Sequence, residues 1–120
     1  MVTVTTWIQD YPALPGSADS AARLADTVTA EHLPGRRADA GPLVRQLFEC
    51  ALARSNSASV VKLITVVDAL RARFEVHYLN DLEVPDPLSA HQAVSALSDA
   101  YGEERKNDGR MIYAELRDNS

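Results

Sequence analysis

The segment 58–83 constrains this chain more than any other. It is the longest periodic stretch, and outside a narrow polar set it is largely apolar: Val60, Val61, Leu63, Ile64, Val66, Val67, Ala69, Leu70, Phe74, Leu79 and Leu82. Lys62, Thr65, Asp68, Arg71 and Glu75 recur every three or four residues, a spacing that lines up on one side of a helix. The run Ala69-Leu70-Arg71-Ala72-Arg73 consists of strong helix formers. Together these predict a helix over 58–82, apolar around most of its circumference and therefore central. The competing reading is a pair of strands. Ser59 to Val67 is rich in β-branched residues, and Phe74 to Tyr78 suits an extended conformation.

The flanking segments follow from their punctuation. Ser17 is a candidate N-cap for a helix over 18–33, whose Ala18, Ala21, Ala22, Leu24, Ala25 and Val28 lie near one face and which Pro34-Gly35 stops. Pro42 suits a first helical turn, where its missing N–H costs nothing. A second helix over 42–55 then presents Leu43, Val44, Leu47, Phe48, Ala51 and Leu52 on one broad face. Asp86 as N-cap with Pro87 behind it starts a fourth helix over 87–101. Residues 102–109, with Glu103, Glu104, Arg105 and Lys106, read as a charged loop. The alternation of Val2, Val4 and Thr6 with Thr3, Thr5 and Trp7 has a strand-like period of two. It makes 1–16 an extended N-terminal arm beside a single helical domain over 17–120.

The expected fold is thus all-α, a bundle of four main helices with an arm. The alternative is α+β, with a small sheet from 2–8, 59–67, 73–79 and 110–116. Eighteen Ala and thirteen Leu against five Gly and two Phe favour the helical reading. Phe48, Leu47, Val61, Ile64, Leu70, Phe74 and Leu97 are the expected core. A central helix with so wide an apolar surface also predicts a homodimer, since an exposed apolar patch marks an interface.

No apolar run reaches the ~20 residues of a membrane span, and the opening MVTVTTWIQDYPALPG has no basic start followed by an apolar stretch. A cytoplasmic protein is expected. One cysteine, Cys50, excludes an internal disulfide framework and a cysteine-based zinc site within one chain. His32, His77 and His91 show no i, i+4 pair of the kind that binds a metal. No nucleophile motif and no phosphate-cradling glycine loop is present. No metal, cofactor or catalytic residue is expected.

Charge is more informative. Residues 36–73 carry seven basic residues against three acidic, a net +4, inside a chain whose net charge is −5. Arg36, Arg37, Arg45, Arg54, Arg71 and Arg73, with His77, are candidates for binding a nucleic acid or an acidic partner. The opposing reading folds the acidic flanks back over this basic centre.

Within that centre, Arg71 and His77 stand six residues apart in the run Arg71-Ala72-Arg73-Phe74-Glu75-Val76-His77. The spacing resembles the Arg-x(4–6)-His signature of HEPN-type helical ribonucleases. The resemblance is confined to these seven residues. It implies a small helical bundle in which Arg71 stabilises charge on an RNA phosphate and His77 shuttles a proton. On a helix, however, the two would lie about 120° apart around the axis, so Arg71→Ala and His77→Ala are expected to leave function largely intact. The residues as a whole favour a small non-catalytic interaction or regulatory module: an adaptor, or an immunity- or antitoxin-like partner of another protein. A nucleic-acid binder using 36–73 is the alternative, with the HEPN-like ribonuclease behind it.

Overall fold

The computed structural model describes residues 4–56, 58–79, 88–106 and 109–118. Among them, three helices and five strands follow the order β1 (Thr5–Pro12), α1 (Pro15–His32), α2 (Arg37–Arg54), β2 (Val60–Val67), β3 (Arg71–Tyr78), α3 (Leu88–Leu97), β4 (Ala100–Lys106) and β5 (Gly109–Arg117). The strands form one antiparallel sheet in the order β1-β2-β3-β5-β4. The fold is α+β, not an all-α bundle.

The decisive correction falls on 58–82. It is a hairpin, β2 and β3, joined by a tight turn in which Asp68 Oδ1 accepts the backbone N–H groups of Leu70 (2.7 Å) and Arg71 (3.0 Å). An aspartate that bonds the backbone two and three residues on stabilises a turn. Six of the eight residues of β2 are β-branched, and such side chains fit a pleated surface better than a helix. The polar set that suggested a helical stripe is split by the hairpin. Lys62, Arg71 and Glu75 share one sheet face, Thr65 is buried on the other, and Asp68 makes the turn. The N-terminal arm is β1, fully paired with β2 from Thr5↔Val67 to Pro12↔Val60. The helix expected over 87–101 ends at Leu97, with Ala100 and Tyr101 opening β4; of the charged loop expected over 102–109, residues 102–106 lie in β4 and Gly109 opens β5. Asp86 and Pro87 lie outside the described residues.

The first two helices lie close to where their punctuation placed them, but α1 starts at Pro15 behind Leu14, so Ser17 lies inside its first turn and donates to Pro12 O at 2.6 Å instead of capping it. Helix α1 ends at His32, where Leu33 turns away (φ −144°) and its N–H returns to Thr29 O at 2.7 Å. Helix α2 starts five residues earlier than Pro42 suggested, so Pro42 lies inside it. The neighbouring Gly41 N–H donates to Asp26 Oδ1 of α1 at 3.0 Å. A Cβ on Gly41 would stand 2.6 Å from that oxygen, so a larger residue here would make the Asp26 carboxylate shift and disturb this bond.

Both helices cover one face of the sheet. Ala21, Ala25 and Val28 of α1 and Leu43, Val44, Leu47, Phe48 and Ala51 of α2 share a core with Val61, Leu63, Val67, Ala72, Phe74, Val76, Ile112, Ala114 and Leu116. Strand parity sorts the expected core. Phe48, Leu47, Val61 and Phe74 are buried and Leu97 packs partly against them. Ile64 points to the opposite face and is half-buried, while Leu70 sits in the hairpin turn, 62% exposed. The Tyr11 ring meets Phe48 edge-on at 5.4 Å. Phe48→Ala should therefore cost about 3–5 kcal/mol, measured by urea denaturation.

Candidate functional site

The basic residues of 36–73 do not form one surface. Arg36, 7% exposed, donates from Nε to Asp39 (2.9 Å) and from Nη1 to Asp99 (2.6 Å) and the Arg117 carbonyl (3.0 Å). It fastens the start of α2 to the α3–β4 corner and the end of β5. Arg45 pairs with Asp19 between α2 and α1. Arg37 is exposed and lines a shallow depression with Asp26, Pro34, Gly35, Ala38 and Pro42.

Arg54 is wholly buried. It donates to the Tyr78 hydroxyl and to Glu103 Oε1 (3.1 Å), Tyr78 donates on to the same oxygen (3.4 Å), and Arg110 Nη1 completes the group at 3.3 Å. Burial pushes the Tyr78 hydroxyl and the nearby Cys50 thiol above their ordinary values, with Arg54 pulling down and Glu103 pushing up in both. These are ties between a helix and the sheet. Glu103 owes its place in them to its position on β4.

Arg71, Arg73 and His77 do come together, on the sheet face that carries no helix among the described residues. Register lines this face up in three rows across all five strands: Thr6, Val66, Arg73, Glu115, Ala100; Ile8, Ile64, Glu75, Tyr113, Gly102; and Asp10, Lys62, His77, Met111, Glu104. On the β1–β2 side Ile8, Ile64 and Val66 form an apolar group with Val4 exposed at its end, flanked by Thr6 and by the Asp10–Lys62 pair. The β3–β5 side is a ladder of charge. Arg73 donates to Glu75 (2.9 Å) and Glu115 (3.1 Å), Arg71 reaches Glu115 at 3.5 Å, and His77 Nε2 lies 3.1 Å from Glu75.

The Arg73 guanidinium also lies over the Tyr113 ring at 4.0 Å, a cation–π contact. Tyr113 in turn lies across Gly102, where an added Cβ would stand 2.6 Å from its hydroxyl oxygen. Burial pushes the Glu75 carboxyl upward, but the hydrogen bonds and charges of Arg73 and His77 outweigh it and hold Glu75 below its ordinary value.

On an extended strand Arg71 and His77 share a face but stand about 20 Å apart, with Glu75 between them. They do not converge on one phosphate, and the helical scaffold implied by the HEPN resemblance is replaced by β3. Ile8, Ile64, Val66, Tyr113 and Glu115 were missed by sequence reasoning. The strict alternation of Arg71, Arg73, Glu75 and His77 with Ala72, Phe74, Val76 and Tyr78 was the signal that marked this face. No helix among the described residues is long and apolar enough to cross a membrane. No protein-family model matches the chain, and no curated protein matches it.

Neutralising Glu103 takes one carboxylate away from a fully buried guanidinium. Glu103→Gln should cost about 3–5 kcal/mol, whereas Arg37→Ala, on the surface, should stay within about 0.5 kcal/mol; chemical denaturation separates the two. Asp99 gives a pH dependence. The hydrogen bond from the Arg117 backbone N–H (2.7 Å), and then Arg36, hold its carboxyl below the ordinary value against partial desolvation. A carboxyl lowered in the folded state stabilises above its unfolded value of about 3.9 and loses that contribution as pH falls through the folded value. Denaturation midpoints followed from neutral pH into acid should fall more steeply for the native chain than for Asp99→Asn.

Proposed function

We propose that this chain is a small non-catalytic interaction module of the cytoplasm, and that the sheet face carrying no helix among the described residues receives a protein partner. The carrying observation is the division of that face: Ile8, Ile64 and Val66 form an apolar group beside a ladder of Arg71, Arg73, Glu75 and His77, in which the buried Glu115 holds the two arginines. Apolar area supplies binding energy, and fixed charges of both signs supply orientation and select against wrong partners. The partner that fits carries an apolar ridge beside charges of both signs. The ion pairs of Arg71 and Arg73 favour a protein over a nucleic acid, because phosphate binding draws on cations whose charge is not already matched.

The test uses a photo-crosslinking amino acid at Lys62, exposed in the third row of this face, and at Glu49, exposed on α2, as control. In native cells the Lys62 probe should give one major product containing another protein, and the Glu49 probe should not. Products from Glu49 alone, or a nucleic-acid adduct at Lys62, would overturn the reading.

A further inference from the structure

Strand β1 is anomalous. All eight of its residues pair with β2, yet none is buried, and Trp7 and Ile8 are 38% and 62% exposed. The other three strands described along their length each bury at least four residues. Beyond β1 the described residues place nothing. An edge strand presents unpaired N–H and C=O groups along its outer side. Edges that must stay free carry charge or are kept short. The opposite edge fits that rule: β4 has Glu103, Glu104, Arg105 and Lys106 in seven residues. β1 has one charge, Asp10, and Lys62 stands directly across from it on β2.

We propose that two copies of this chain join through β1, antiparallel, about a two-fold axis at Ile8, to make a continuous ten-stranded sheet. This goes beyond the partner reading above and rests on the edge, not on the open face. A two-fold axis perpendicular to the sheet keeps both open faces on one side, so even-numbered residues must meet even-numbered ones. Centring on Ile8 satisfies this and uses the chain from Val4 to Pro12. It sets Ile8 against the partner's Ile8, Asp10 against the partner's Thr6, and Trp7 against the partner's Gln9.

Charge selects this occupant. The two Asp10 carboxylates end up four residues apart along the strands, about 13 Å, beyond the ~10 Å screening length at 0.1 M salt. The β4 edge offers no such joint: its middle residue, Glu103, is held by Arg54 and Arg110 of its own chain, and Glu104, Arg105 and Lys106 follow it as further charges along the strand. A β1-to-β4 joint repeats head to tail without closing, whereas a β1-to-β1 joint closes at two.

Light scattering and sedimentation equilibrium at tens of micromolar should give twice the 13.1 kDa chain mass. Ile8→Lys and Ile8→Glu, each checked for an unchanged circular dichroism spectrum, should each weaken association by at least about tenfold, and mixing the two should restore it. Ile8→Cys should yield a disulfide-linked dimer on mild oxidation. A native chain of single-chain mass, or a dimer that persists unweakened in Ile8→Lys, would overturn the proposal. Neither result touches the open-face reading, whose measurement is a Lys62 product containing a different protein.

Discussion

The β2–β3 pairing supports everything else in the molecule. Six register pairs, from Lys62↔His77 to Val67↔Ala72, join two strands that lie side by side at the sheet's centre. Their inward side chains, Val61, Leu63, Val67, Phe74 and Val76, are the floor on which α2 sets Leu43, Leu47 and Phe48. The outer side of β2 takes β1, and the outer side of β3 takes β5. Helices alone could not reproduce this arrangement. Their alanine-rich contact surfaces pack closely on one another but are too small to enclose a core without a sheet beneath.

Two buried guanidinium groups complete the frame. Arg36 and Arg54 reach carboxylates 63 and 49 residues away, and each joins α2 to the C-terminal half of the chain. A charge taken out of water is costly unless its partner is correctly placed. These ties therefore penalise any docking of the β4–β5 hairpin that leaves Asp99 or Glu103 out of reach. The basic middle of the sequence is in large part an internal scaffold: among its cations, Arg36, Arg45, Arg54, Arg71 and Arg73 hold carboxylates of the same chain.

Legibility followed the range of the forces involved. Helices α1 and α2 were readable because Pro34 and Gly35 act locally and the apolar spacing of Leu43, Leu47 and Ala51 repeats each turn. The β2–β3 hairpin was obscured because Ile64 and Val66 make its open face apolar as well, which erases the alternation a half-buried strand should show. The helix-forming Ala69 and Leu70 then bridged the turn in composition while Asp68 made it in hydrogen bonds. The candidate face was only half legible. Arg71, Arg73 and His77 could be named from local spacing, but Glu115 lies 44 and 42 residues from its two arginines, and a pairing of that range is created by the sheet.

The connection between β1 and β2 has a kinetic consequence. The β2–β3 and β4–β5 hairpins close over a few residues, at Val67↔Ala72 and Lys106↔Gly109, and hairpins of this kind form in microseconds. β1 must instead return across both long helices to reach β2, from Pro12↔Val60 to Thr5↔Val67. Loop-closure entropy is spent before that contact stabilises anything. β1 is thus the last strand to dock as the chain folds, and until it docks the flank of β2 stands open to the β1 of a neighbouring molecule. Folding in a crowded solution becomes a competition between a strand's own sheet and that of its neighbour, decided by concentration.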